Sequence, residues 1–237
     1  MIGKGGAPFA FGAKIIAAAI VLVFWPAAST PATSGDLIQE RQYLRVKIGG
    51  KDVRLEALVV KRADEGRLPI ALFNHGRPGV AAMGLDHNLL HDPGITAIAD
   101  IARRGWLVVA IHRRGYGLSD GPIQSDSPCA ADTFLAWMNA DADDIEASIA
   151  AVTRRSDADP TRMIAIGESA GGAAALALGA RNIPGLVAVI DLAGGEHLAG
   201  CAAIKDSVPA DFRALGSRSH VPNLWVFAKN DLNHPVD

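Results

Sequence analysis

The chain has 237 residues, 23 basic and 25 acidic side chains, a net charge of −2, a hydrophobic share of 49% and a mean hydropathy of +0.19. That length makes one domain of ordinary size with room for a substantial core. The mildly acidic balance, with no basic stripe, excludes an electrostatic nucleic-acid binder.

Lys4 and Lys14 precede an uninterrupted apolar run of 11 residues, 15–25, followed by Pro26 and the small-residue stretch A-A-S-T-P-A. This is the build of a secretory signal peptide. The run is shorter than the roughly 20 residues that span a bilayer. Residues 1–32 are therefore expected to be cleaved near Ala28 or Ala32, leaving 33–237 as the mature domain, periplasmic or secreted and without a stable membrane span. An uncleaved membrane anchor is the other reading of the same run. No cysteine follows it, so lipid attachment is not expected. Removing the segment takes away two lysines and no acid, which leaves the remainder more acidic.

Export changes how Cys129 and Cys201 are read. In an oxidising compartment the two can pair, and closing the chain between them would stabilise the fold by roughly 4 kcal/mol on the loop-entropy model. One disulfide is expected. Two buried thiols, packing as small hydrophobes, is the arrangement to weigh against it.

Residues 43–48 and 55–60 alternate between apolar and charged around G-G-K-D, a hairpin signature, and predict half-exposed antiparallel strands. Residues 68–73 are apolar at consecutive positions, as a strand covered on both faces must be; they run into N-H-G-R-P-G. Ile95, Ile98 and Ile101 give helical spacing that Gly105 ends. Residues 106–111 predict a second buried strand, opening into H-R-R-G-Y-G-L-S-D-G at 112–121. Residues 125–139, a candidate cap, have weak periodicity. From Asp141 onward Ile145, Ile149 and Val152 recur at helical intervals, with acids placed for a first turn and Arg154 and Arg155 for a last. Residues 163–166, 186–192 and 223–228 complete five buried strands. Helices between most successive pairs predict a mostly parallel α/β sheet wrapped on both faces.

The most informative stretch is M-I-A-I-G-E-S-A-G-G-A-A-A-L-A-L-G-A-R, residues 163–181. A short apolar strand runs into G-E-S-A-G and then an Ala/Leu-rich helix. Gly167 and Gly171 remove side chains that would collide as strand and helix are forced together, so Ser169 can hold a strained backbone at the apex. The amide of Ala170 and the positive end of the helix would face an oxygen that develops negative charge there. That is the layout of an activated nucleophile. A phosphate-binding turn can also contain G-x-S-x-G, but no G-K-[ST] follows. In an open α/β sheet chemistry collects where strands end, and H-G-R-P-G directly follows a buried strand. Its best-placed amide, that of Arg77, is expected to be the second oxyanion donor.

With F-N-H-G-R-P-G, H-R-R-G-Y-G-L-S-D-G, G-E-S-A-G-G, D-L-A-G-G and L-W-V-F-A-K-N-D in this order, the chain from Leu68 onward resembles the α/β-hydrolase superfamily, and within it exported bacterial proteins similar to dienelactone hydrolase. The resemblance implies Ser169 as nucleophile, the Ala170 and Arg77 amides as oxyanion hole, and Asp231 as the acid of a triad. Dienelactone hydrolases proper use cysteine as nucleophile, so their substrate is not inherited. Carboxylesterases share G-E-S-A-G-G but have a longer glycine run after the histidine.

The superfamily's base is a histidine on a loop after a further strand and helix, and the sequence stops six residues after Asp231. Each histidine present has a duller role. His75 braces the H-G turn; His87, His91, His112, His197 and His220 sit in loops or connections; His234 is too close along the chain to Asp231 to face Ser169 as well. Glu168 reads as a loop hydrogen-bonder, and Asp231 could be an ordinary turn residue. The expectation is a C-terminally truncated α/β-hydrolase fold, lacking its final strand and helix and impaired in turnover, with 223–228 left as a sheet edge whose apolar residues, such as Trp225, are uncovered. Its chemistry would be hydrolysis of small-molecule ester or lactone bonds, with no cofactor and no metal. A non-catalytic member of the same fold that binds a ligand or partner is the alternative.

Overall fold

The computed structural model describes residues 37–63, 66–77, 94–123, 130, 132–195 and 202–230. The hairpin forms as its turn residues dictate. β1 (Leu37–Ile48) and β2 (Lys51–Arg62) pair antiparallel in register from Leu37↔Arg62 to Ile48↔Lys51. Gly49 and Gly50, at φ 56° and 79°, supply the two positive-φ residues a tight hairpin turn needs. Then come β3 (Leu68–Asn74), α1 (Gly94–Arg103), β4 (Leu107–Ile111), α2 (Thr133–Val152), β5 (Ala158–Glu168), α3 (Ala170–Gly179), β6 (Leu186–Leu192), α4 (Ala202–Gly216) and β7 (Asn223–Val226). One seven-stranded sheet runs in the order β1-β2-β4-β3-β5-β6-β7, antiparallel at β1–β2 and β2–β4 and parallel elsewhere. The α/β architecture is the one expected, and it gathers the carboxyl ends of β3, β4, β5 and β6 at one rim.

The sheet carries apolar groups on both faces. One face packs Leu55, Ile70, Leu72, Leu107, Val109 and Met163 against α2, α3 and α4. The other packs Leu58, Val60, Ala71, Phe73, Val108 and Ala110 against Ile98 and Ala102 of α1. All ten residues of α3 are buried, which explains its run of Ala, Leu and Gly: there is no solvent side to make polar. Among the described residues no helix is long and apolar enough to cross a membrane.

Two elements differ from their sequence-based prediction. β2 is not half exposed; residues 55–60 are all buried, because β2 lies between β1 and β4. α2 begins at Thr133, so Asp141 is in mid-helix, and neither an acid in the first turn nor a base in the last complements its dipole. Its weak periodicity reflects a wide buried face that includes Asp141, Asp144 and Ser148 as well as Phe134 and Trp137. β7, by contrast, is the exposed edge expected: all four positions are exposed, with Leu224 57% and Trp225 44% accessible. It pairs with β6 on one side and with no described strand on the other, so its apolar composition marks an edge, not an interior.

At the opposite rim, Asp157 joins three strands. Its carboxylate accepts from Arg155 at 2.8 and 2.9 Å and pairs with Lys61 of β2 at 2.9 Å, while Arg155 reaches Glu40 of β1 at 3.1 Å. The Arg155 hydrogen bonds hold the Asp157 carboxyl well below the usual carboxylate range. A depressed folded-state value stabilises above the unfolded value of 3.8 and is lost as pH falls below it. Asp157→Asn should therefore lower stability by about 1–3 kcal/mol at neutral pH, measured by urea denaturation, with the gap narrowing in acid. Equal midpoints at pH 7 would show the network to be energetically idle.

Candidate active site

The elbow is set by backbone contact. Gly167 pairs with Asn74 of β3 and Asp191 of β6, and a Cβ on it would collide with the carbonyl of Gly171. A Cβ on Gly171 would strike the carbonyls of Asn74 and His75. Strand, helix and the neighbouring loop thus meet at distances that glycine alone permits. Between them Ser169 is held at φ 52°, ψ −123°, a conformation that costs a non-glycine residue on the order of 1–3 kcal/mol. Serine at a helix N-cap ordinarily has extended backbone and turns its hydroxyl back onto the first-turn amides. Here it makes no capping bond. Its backbone is tied down instead: its N–H donates to Leu192 O at 2.9 Å, and its carbonyl accepts from Ala173 N–H at 3.1 Å. The side chain is half-buried, so the hydroxyl is released from the helix at the rim.

The loop after β3 lies directly against it. An ideal Cβ on Gly76 would sit 3.2 Å from Ser169 Cβ and 3.3 Å from Glu168 O. Asn74 anchors the loop's start by donating through Nδ2 to Ile166 O at 3.1 Å. His75, 4% accessible, has both ring nitrogens engaged. Nδ1 donates to Gly76 O at 2.7 Å, and Nε2 accepts the Arg113 N–H at 3.2 Å. Those partners fix one neutral tautomer, and burial, then the Arg113 charge, pushes its pKa well below the ordinary value. His75 is therefore a brace and has no lone pair left for a base. The Arg77 guanidinium stacks 4.7 Å over the Trp137 ring, which ties the loop to α2 at that residue.

The loop after β4 supplies charges that the sequence reading passed over. Arg113 is fully buried; its Nη1 donates to His75 O at 2.6 Å, its Nε lies 3.1 Å from Asp141, and its guanidinium packs on Tyr116. Arg114 binds Asp144 at 2.6 Å through both its backbone and its Nε. Desolvation pushes Asp144 up to about 6 in spite of that partner. His112 Nδ1 bonds Glu56 at 2.8 Å deep in the interior, and burial lowers its pKa. The available signal was R-R followed, a helix-length later, by D-A-D-D: adjacent arginines and two acids three apart on one helical face.

Asp191, at the carboxyl end of β6, is fully buried behind the elbow. Neither carboxyl oxygen has a well-formed hydrogen-bond partner, and a Cβ on Gly172 or Gly194 would collide with Oδ1. Burial pushes its pKa up to about 7, the Gly194 amide offsetting this only in part. D-L-A-G-G, an acid followed by two glycines at a strand end, was the only hint. A raised folded-state value works against stability as pH rises: the protonated form favours the fold, and that advantage is lost between the unfolded value of 3.8 and about 7. Asp191→Asn, a neutral isostere, should flatten the profile, gaining on the order of 3 kcal/mol relative to the unaltered chain between pH 4 and pH 8. Parallel stability profiles over that range would contradict a buried, uncompensated acid.

Asp231, Cys129, Cys201, His87, His91, His197 and His234 lie outside the described residues, so the triad acid and the disulfide find neither support nor contradiction in the geometry. His220 precedes β7, at the amino ends of the parallel strands and away from Ser169. Among the described residues no group of three or more His, Cys, Asp or Glu could hold a metal. A cavity of about 650 Å³ lies between the hairpin and α2, lined by Arg45, Arg54, Asp120 and Arg154 among others, and does not include Ser169.

The fold is shared with solved proteins of low sequence identity. Est1E from Butyrivibrio proteoclasticus, solved with ferulic acid bound, superposes with a TM-score of 0.59 at 16% identity, over 82% of this chain and 81% of that one. The acetyl xylan esterase from Paenibacillus sp. R4 gives 0.57 at 16% identity over 86% and 77%. The acylaminoacyl peptidase of Pyrococcus horikoshii gives 0.55 at 17% over 84% and 33%. At such identities the likeness is one of fold. No curated protein matches the sequence. The family described as alpha/beta hydrolase fold matches residues 69–203, which span β3 to the start of α4 and include both the loop after β3 and the elbow, and the chain belongs to that family.

Proposed function

We propose that this protein is a serine hydrolase of small-molecule ester, lactone or similar acyl bonds, acting through an acyl-enzyme on Ser169. The observation that carries the reading is the serine at φ 52°, whose hydroxyl makes no helix cap and whose Cβ lies close beside Gly76 of the loop after β3. A chain that only needed a helix start would keep the capping bond and avoid the strain. In this reading the amides of Ala170 and Arg77 stabilise the developing oxyanion, Asp231 is the acid that orients a histidine, and no cofactor is required. The esterases among the structural neighbours favour the same reaction class. Export to the periplasm or beyond, with Cys129 paired to Cys201, belongs to the same proposal and rests on the N-terminal apolar run.

Proton transfer is the weak step. None of the three described histidines is placed to take the serine's proton: His75 and His112 are committed to buried partners and His220 is at the other rim. Turnover is accordingly proposed to be slow. The same observation favours a second reading, a non-catalytic member of the fold that binds a ligand at this rim.

A fluorophosphonate probe separates the two. Over hours it should label the protein once, and Ser169→Ala should abolish labelling; label retained in that variant, or never formed, removes the hydrolase reading and leaves the binder. Hydrolysis of a p-nitrophenyl ester at the 1–10³ s⁻¹ typical of enzymes would contradict slow turnover.

A further inference from the structure

We propose that Arg113 is a positioning residue for the oxyanion loop: together with His75 it fixes two successive peptide planes so that the amide of Arg77 faces Ser169. This deepens the serine-hydrolase reading and rests on it.

The argument follows from peptide planarity and sheet order. In a trans peptide the C=O and the following N–H point in opposite directions. The His75 carbonyl is drawn by Arg113 Nη1 at 2.6 Å, and the Gly76 carbonyl by the His75 ring at 2.7 Å. The His75 carbonyl is thereby fixed between Arg113 and the backbone of Gly171, while the Gly76 carbonyl points toward the loop after β4, where the His75 ring packs edge-on against His112 and Tyr116 at 5.6 and 4.7 Å. β3 lies between β4 and β5 in the sheet. The Arg77 N–H, opposite the Gly76 carbonyl in the same peptide plane, then points to the other side, where β5 ends in Ser169. His75 links the two planes, because the Arg113 backbone N–H occupies Nε2 and leaves the proton on Nδ1 for Gly76.

A stability role for Arg113 is a poor competing explanation. Burying a guanidinium costs several kcal/mol even when paired, and an apolar residue of similar volume commonly does as well or better. What an apolar residue cannot do is direct a carbonyl. The arrangement is supported from behind, since Asp141 lies 3.1 Å from Nε and the Tyr116 ring, 5.7 Å from Cζ, carries the guanidinium on its face. A loop so held is preorganised before substrate arrives, and displacement by about 1 Å is worth roughly 10²-fold in rate.

The test compares fluorophosphonate labelling of Ser169 in the unaltered chain, Arg113→Met, Arg113→Lys, His75→Phe and His75→Asn, separating the reversible binding constant from the covalent step. Arg113→Met and His75→Phe should slow the covalent step about 10–100-fold with binding little changed. Arg113→Lys and His75→Asn, which keep a donor to the same carbonyls, should recover most of it. Lowered melting temperatures with an unaltered covalent rate, or loss in binding alone, would overturn the proposal. Should the apolar variants not fold, ¹⁵N spectra of the imidazoles in the unaltered protein decide: His75 protonated at Nδ1 and bare at Nε2 supports the relay, and the reverse tautomer overturns it. That spectrum also decides if no label forms, an outcome that counts against the hydrolase reading itself.

Discussion

The structure depends on how closely β5, α3 and the loop after β3 approach one another. Gly167 and Gly171 leave no room for a Cβ between those backbones, and at Gly76 one would be tight; Ser169, between them, lies outside the ordinary L-residue regions. Two inserted glycines weaken a helix by roughly 1 kcal/mol each relative to alanine, and the strain at Ser169 adds more. That energy is supplied by the surroundings: α3 is wholly buried between sheet and helices, and the serine's own backbone is bonded to Leu192, Ala173 and Gly195. Rigid packing on all sides is what lets one hydroxyl stand free.

The rim around that hydroxyl is held by buried charge as much as by apolar contact. Arg113 and Arg114, side by side after β4, take Asp141 and Asp144 from α2, so the helix that might have been a loosely attached cap is locked to the sheet. Both carboxyls have pKa values raised by burial in spite of their partners, which shows desolvation to exceed the Coulombic gain at these positions. Ion pairs of this kind add little net stability, and their consequence here is geometric: they fix the relative placement of the loop after β3, the loop after β4 and the first half of α2. Asp191 has no such compensation and makes the elbow's far side sensitive to pH near neutrality.

Much of this was legible in the sequence where the physics is local. Consecutive apolar residues gave β3, β4 and β6; G-G gave the hairpin turn; glycines two positions either side of Ser169 gave the elbow, because close approach admits nothing larger. What was not legible depended on partners distant along the chain. The burial of β2 follows from its place between β1 and β4. The length of α2 was hidden because its buried face carries Asp141, Asp144 and Ser148, whose polarity is satisfied by Arg113, Arg114 and the helix backbone, and so blurs the apolar period. His75 was read as a brace from its H-G setting, yet the direction of its two hydrogen bonds, and Arg113 behind it, are properties of the assembled rim.

The central claim is the proposal that Ser169 is presented as a nucleophile. Its most direct measurement is peptide mapping by mass spectrometry after prolonged incubation with an activated ester and quenching in acid, which preserves an acyl-serine while hydrolysis is stopped. One acyl group on the peptide carrying Ser169 is the predicted result. Acyl groups confined to lysines or to other hydroxyls, with that peptide unmodified, would contradict it.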